Sequence, residues 1–75
     1  MPRKAFSQFE AVSAVIPHEG GYRAAIAIKR HDGGAPTFHT VLPSQTFKTA
    51  HEADVAASHE LERLIDVTEV GELVF

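Results

Sequence analysis

The segment spanning residues 22–30 constrains the fold most strongly, because its apolar side chains recur at every second position. One face of this segment would carry Tyr22, Ala24, Ile26 and Ile28. A period of two is typical of a β-strand with one buried face. The sequence Asp32-Gly33-Gly34 follows, and it favours a tight reversal because glycine adopts positive φ at little steric cost. We therefore predict an antiparallel hairpin in which residues 37–42 form the returning strand.

An apolar run before this hairpin predicts another strand, over residues 5–16. Turn-forming residues close the run, from Pro17 to Gly21. Two registers are open, because both faces carry apolar side chains: Val12, Ala14 and Ile16 on one, and Phe9, Ala11 and Val15 on the other.

A helix is predicted to begin after Thr49, which together with Glu52 fits a capping box. The expected buried stripe consists of Ala50, Ala53, Ala57, Leu61 and Leu64, flanked by Ala56 and Ile65. Small alanines near the start would allow the helix to lie close to a sheet. Phe47, just before the cap, is expected to pack on the first turns.

Residues 67–75 are apolar and β-branched, and they are interpreted as either a fourth strand or a partly ordered tail. The predicted class is thus α+β: an antiparallel sheet of three or four strands packed against one C-terminal amphipathic helix, in the order β-β-β-α with an optional last strand. A single domain over residues 1–75 is expected, with residues 1–4 and 67–75 as candidates for flexible ends.

The composition narrows the function classes. The chain has no cysteine, which excludes disulfides and thiolate metal sites and favours a reducing compartment. Seven Lys and Arg against ten Asp and Glu give a net charge of −3, which disfavours non-specific nucleic-acid binding. The N-terminus lacks the apolar segment of a signal peptide, and no apolar run approaches the ~20 residues that span a bilayer. We expect a cytoplasmic protein with no membrane partner.

The chain has five histidines, which suggests a metal site as one hypothesis. Their spacing does not favour it. His51 and His59 are eight residues apart on the predicted helix, about 12 Å, too far to bind one ion together. A Gly-x-Ser-x-Gly motif is absent, and the glycine pairs lack the context of a phosphate-binding loop. We therefore expect that the chain is not an enzyme and that it has no catalytic residue, cofactor or metal.

A nucleic-acid patch is one candidate site, formed by Arg23, Lys29 and Arg30 on the outward face of the strand at residues 22–30. Arg3, Lys4 and Lys48 could extend it. The alternative interpretation is that these side chains are solvated charges that keep the sheet soluble and its edges unpaired.

A protein interface is the other candidate site, and it comprises Val55, Leu73, Val74 and Phe75. Val55 interrupts the polar face of the predicted helix, and the others form an apolar chain end. Such a surface could support a homodimer through edge strands or the C-terminal segment. Alternatively, these residues complete the core of a monomer.

The central part of the chain, residues 23–65, resembles two groups of small modules. Both groups share a hairpin followed by a Phe-x-Thr-x-x-Glu-Ala motif at the start of a helix. This motif is matched here by Phe47, Thr49, Glu52 and Ala53. The HicB-like antitoxin domain has an Asp-Gly-Gly turn and a Leu-Pro segment, matched by Asp32-Gly33-Gly34 and Leu42-Pro43. The arm-type DNA-binding domain of tyrosine integrases has three strands followed by a helix. The chain also looks like other small bacterial proteins of this architecture.

The sequence therefore predicts a non-enzymatic binding or regulatory domain that acts by protein–protein interaction or self-association. The alternative, which the two resemblances imply, is a nucleic-acid-binding or antitoxin-type transcriptional regulator.

Overall fold

The computed structural model describes residues 3–75 and confirms the α+β class. Within these residues a four-stranded antiparallel sheet has the strand order of the chain: β1 (Arg3–Ala5), β2 (Phe9–His18), β3 (Gly21–Arg30) and β4 (Thr37–Thr40). Helix α1 (Ala50–Arg63) follows and packs against β2 and β3. A short hairpin of β5 (Asp66–Val67) and β6 (Leu73–Val74) ends the chain.

The predicted strand over residues 5–16 is wrong in its bounds, because the chain reverses within it. β1 ends at Ala5, a turn follows, and β2 begins at Phe9, antiparallel to β1. The N–H of Phe6 donates to the Phe9 carbonyl at 2.7 Å and closes the turn. The additional strand of the main sheet is therefore N-terminal, whereas the sequence suggested one at the C-terminus.

The core lies between α1 and one face of the sheet. On the sheet it contains Phe9, Ala11, Ala24, Ile26, Ile28 and Val41, and from the helix and the segment after it Ala57, Leu61, Leu64 and Val67. The open choice of register in β2 is thereby settled in favour of Phe9 and Ala11 as core residues. Ala53 and Ala57 are fully buried, so the helix lies close to the sheet as expected. Ala50 and Ile65, at the two ends of the predicted stripe, are exposed.

Local signals explain the start of α1 and the β2–β3 turn. The Thr49 hydroxyl accepts from the Glu52 N–H at 3.1 Å, which is one half of the predicted capping box. Glu19 and Gly20 connect β2 to β3, and both have positive φ, at 37° and 78°. Positive φ at both central residues is characteristic of the two-residue hairpin turn that matches strand twist.

The chain after β4 returns to β3 before the helix begins. Leu42 has a φ of 54°, which turns the chain away from the sheet. Phe47 then exchanges backbone hydrogen bonds with Tyr22, at 2.7 and 2.8 Å, and its side chain packs against the core. The entry angle of α1 is therefore set by a contact with β3.

The C-terminal segment forms its own two-stranded sheet and does not join the main one. Val67 is buried, and Leu73 packs against the core. Residues 67–75 therefore do not add a fourth strand to the main sheet, which was one of the two predicted alternatives. In the part of the chain described, no helix has the length and apolar character needed to cross a membrane.

Candidate functional site

The face of the sheet that points away from α1 has an apolar centre. Because side chains alternate along a strand, the neighbours of the core residues on β2 and β3 lie on this second face. It aligns Val12, Ala27 and Phe38 in one cross-strand row, and Ala14, Ala25 and Thr40 in the next. We call the apolar set on this side the open face: Val12, Ala14, Ile16, Ala25, Ala27 and Phe38.

The open face is not covered by any other element of residues 3–75. The helix and the C-terminal hairpin both pack on the opposite side, where the core cluster lies. Ala25 and Ala27 are nevertheless buried, at 0% and 6% exposure, between the neighbouring side chains of their own face. Phe38, on the edge strand, is 54% exposed. The face therefore offers a shallow apolar surface with one large protruding ring.

Polar groups lie at both ends of the open face. At one end Glu10 pairs with Lys29 in the β2–β3 register, and Arg3 Nη1 lies 3.4 Å from Glu10 Oε2. At the other end Arg23 Nη2 donates to His18 Nε2 at 3.1 Å. Since arginine has only donors, this contact places the proton of a neutral His18 ring on Nδ1. The apolar centre thus has a polar rim along the strand direction.

The structure does not bring the predicted nucleic-acid patch together. Arg23 and Lys29 both lie on the open-face side, but they are six positions apart along β3, about 20 Å. Arg30 lies on the other side, so its predicted place on the outward face is wrong. Its guanidinium lies 4.9 Å from the centre of the Phe9 ring, and Nη2 donates to the Glu69 carbonyl at 3.0 Å. Consecutive residues of a strand cannot share a face, which is why Lys29 and Arg30 diverge.

The three residues named as extensions of that patch are also dispersed. Arg3 contacts Glu10 at the rim, and Lys4 points to the helix side, where Nζ donates to the carbonyls of Glu62 and Leu64 at 2.8 Å each. Lys48 is exposed near the β2–β3 turn. Of the three cations of the predicted patch, Arg23 and Lys29 thus remain on the open-face side of the sheet, at opposite ends of β3.

The predicted protein interface is divided between two places. Leu73 packs against the core, while Val74 and Phe75 are 38% and 47% exposed. Arg63 lies over the Phe75 ring, 5.9 Å from its centre. Val55 is 42% exposed and precedes Arg63 by eight helical residues, about 12 Å of helix axis. The chain end and Val55 are therefore separate apolar points.

His39 is the histidine with the least usual surroundings. It lies on the helix side of β4, and its Nε2 atom is buried without a hydrogen-bond partner in the described residues. It also lines an open cleft of about 430 Å³ together with Thr40, Leu42 and Phe75. Within residues 3–75 no group of three or more His, Asp or Glu side chains is arranged to hold a metal ion.

Comparison with known proteins gives no match: no family model fits the chain, and no curated protein or solved structure is significantly similar to it.

Phe38 is the exposed residue that the sequence interpretation missed. The sequence does indicate that Phe38 faces away from the core. Phe38 and Val41 are three positions apart in the predicted returning strand, so their side chains point to opposite faces, and Val41 is a core residue. Only the register with Ala27 and Val12 shows that its ring adjoins an apolar surface.

Proposed function

We propose that this chain is a non-enzymatic interaction domain that contacts another protein, or a second copy of itself, through the open face. The observation that carries the proposal is Phe38, a ring that is 54% exposed and lies in the same cross-strand row as Ala27 and Val12, on the sheet face that α1 does not cover. Single exposed apolar side chains are ordinary on protein surfaces, whereas contiguous ones are typical of contact sites. Val55 is such a single exposed apolar side chain.

The arrangement of charge on the same face supports the proposal. Interfaces commonly have an apolar centre depleted in charge and a polar rim. Here the centre has alanine, valine, isoleucine and phenylalanine, while Glu10, Lys29 and Arg23 lie towards the ends of the strands. A partner with a flat apolar surface would bury the centre and leave these groups in contact with water.

The alternative is a nucleic-acid-binding or antitoxin-type regulator that uses Arg23 and Lys29. The distance between these cations and the engagement of Arg30 with Phe9 and Glu69 give it less support. The net charge of −3 weakens it further. A gel shift with duplex DNA and with single-stranded RNA tests this alternative directly. Binding that weakens steeply as salt rises, and that Lys29→Ala reduces, would favour it over protein contact.

The proposed surface is tested by placing one charge at its centre. Val12→Lys adds an ammonium group beside Ala27 and Phe38, and Val55→Lys is the matched control on the exposed side of the helix. The tagged wild-type chain is immobilised and incubated with lysate or with the untagged chain. It should retain a partner protein or the untagged chain, and excess untagged chain should compete with that binding. We expect Val12→Lys to lose that retention and Val55→Lys to keep it. Equal retention by both variants would reject the open face as the binding surface.

A further inference from the structure

The edge strand β4 presents backbone hydrogen-bonding groups that the fold leaves unused. The N–H of Val41 donates to the Ala24 carbonyl at 3.0 Å, and the same register pairs His39 with Ile26 and Thr37 with Ile28. In an antiparallel pair, alternate residues bond to the neighbouring strand. Phe38 and Thr40 are the intervening residues, so their N–H and C=O groups point away from the sheet. Beyond the β3–β4 ladder, neither residue forms a backbone hydrogen bond within residues 3–75.

The other sheet edge carries charged residues and a proline that discourage pairing, whereas β4, also short at four residues, carries neither. β1 is three residues long and includes Arg3 and Lys4. Where β2 extends beyond β1, Pro17 occupies an outward-facing position and has no N–H to donate. Charged residues, proline and short length are the usual protections of an edge strand. β4 reads Thr-Phe-His-Thr, with neither a charged residue nor a proline, and Thr and Phe favour strands.

A second copy of β4 matches this edge closely. If two β4 strands run antiparallel about a two-fold axis at His39, Phe38 lies opposite the partner's Thr40, and Thr40 opposite the partner's Phe38. Both pairs are hydrogen-bonded pairs of an antiparallel ladder. The outward N–H and C=O groups of Phe38 and Thr40 therefore all bond to the partner strand. The strand turns away at Leu42, and Pro36 has no N–H, so the usable edge is short and symmetric. An edge of this kind pairs fully with its own copy.

Apolar side chains flank β4 on both faces. Phe38 lies on the open face, and in the two-fold arrangement it is diagonal to the partner's Phe38, a spacing that aromatic rings can bridge. Phe75 borders the cleft on the helix side, next to His39 and Thr40. Both rings are about half exposed in the single chain, at 54% and 47%. Pairing at this edge would therefore bury apolar surface in addition to joining backbone groups.

We infer that two copies of this chain associate through their β4 edges, with Phe38 and Thr40 of each exchanging backbone hydrogen bonds across a two-fold axis at His39. The inference goes beyond the proposed function, because it adds a separate contact at the β4 edge and names a second copy as the partner there. It joins two four-stranded sheets into one continuous sheet. The contact is small, so the association is weak and strongly dependent on concentration.

Amide exchange gives a readout specific to this geometry. By NMR, the N–H groups of Phe38 and Thr40 should exchange faster than that of His39 in dilute protein, because His39 already bonds to Ile26. Raising the concentration from about 10 µM to about 1 mM should slow exchange at Phe38 and Thr40 and leave His39 unchanged. Sedimentation equilibrium over the same range should show the mass rising from monomer towards dimer.

Two variants identify the contact. Thr40→Pro removes an outward N–H that the fold does not use, and it should weaken dimerisation at least tenfold. Phe38→Lys places a charge on the edge and should do the same, while Val55→Lys, the control at another exposed apolar position on α1, should not. Circular dichroism verifies that each variant is folded.

The outcomes separate this inference from the proposed function. A wild-type chain that stays monomeric at every concentration overturns edge pairing and leaves the open face available to another protein. A dimer that survives Thr40→Pro but is lost in Val12→Lys also overturns it, and shows that the open faces pack on each other. A dimer lost in Thr40→Pro and unaffected by Val12→Lys supports edge pairing alone.

Discussion

Ser13 lies beneath the helix and its hydroxyl donates to the Asp54 carboxylate at 3.0 Å, which joins β2 to α1 by a polar contact inside an otherwise apolar layer. Ser13 is 1% exposed, and Asp54 is half-buried. Since a buried hydroxyl without a partner loses its hydration and gains nothing, the two residues are energetically coupled.

Removing the acceptor should cost more than removing the donor. Asp54→Ala leaves the Ser13 hydroxyl buried and unpaired, and we expect a loss of about 1–3 kcal/mol in the free energy of unfolding. Ser13→Ala leaves Asp54 able to contact water and should cost about 1 kcal/mol. Urea denaturation of both single variants and the double variant measures the coupling. Asp54→Asn, which keeps an acceptor, is the control; if it is as unstable as Asp54→Ala, the hydrogen bond is not the cause.

Lys4 should stabilise the chain by binding the end of α1. Its ammonium group donates to the carbonyls of Glu62 and Leu64, where the helix leaves acceptors without intrahelical partners. Lys4→Met keeps the length of the side chain and should lower the unfolding free energy by about 0.5–1 kcal/mol. Lys48→Met is the control, because Lys48 is exposed and makes no hydrogen bond in the described residues. Thermal unfolding at low and high salt provides the measurement, and the Lys4 effect should shrink as salt rises. Equal shifts for the two variants would contradict this role.

The parts of the fold that the sequence predicts well are those with local signals. The alternation in β3, the glycine reversal after it and the Thr49 cap all involve residues close in the chain, and all three are observed. Each is set by backbone sterics or by a bond spanning a few residues. Long-range information is not needed for them.

The turn between β1 and β2 has no such signal and was missed for that reason. Phe6, Ser7 and Gln8 include neither glycine nor proline. The turn is held from a distance by His31, whose N–H donates to the Gln8 carbonyl at 3.1 Å and whose Nε2 donates to the Phe6 carbonyl at 2.8 Å. A stabilising contact that spans 25 residues cannot be identified from the local pattern.

The candidate site is predictable only in part, for a related reason. Alternation alone places Lys29 and Arg30 on opposite faces, and it places Phe38 opposite to Val41. Whether a face is covered depends on which side the helix packs, and that follows from the contact of Ala53 and Ala57 with the sheet. The exposure of Phe38 therefore required the assembled layers.

Close packing of α1 on the sheet should make Ala57 intolerant of larger side chains. Ala57 is 0% exposed and belongs to the core cluster. Ala57→Leu adds volume where helix and sheet already touch, and should destabilise the chain by about 1–3 kcal/mol. Ala50→Leu, at the exposed first position of the same helix, should change stability by less than about 0.5 kcal/mol. Thermal unfolding compares the two. A stable Ala57→Leu variant would mean that the helix can move away from the sheet without penalty.

Gly21 is required because the backbone after β4 approaches it closely. A Cβ atom there would lie 2.8 Å from the Phe47 carbonyl oxygen and 2.7 Å from Thr46 Cγ2. Gly21→Ala should therefore break the Tyr22–Phe47 pairing, at a cost of about 1–3 kcal/mol. Gly34→Ala is the control, since nothing lies within 4 Å of its Cβ position, and its φ of 94° adds only backbone strain. Amide exchange separates the two: protection of the Tyr22 and Phe47 N–H groups should fall in Gly21→Ala and persist in Gly34→Ala. If both variants keep that protection, the bridge tolerates the added methyl group, and the close approach is not what selects glycine at this position.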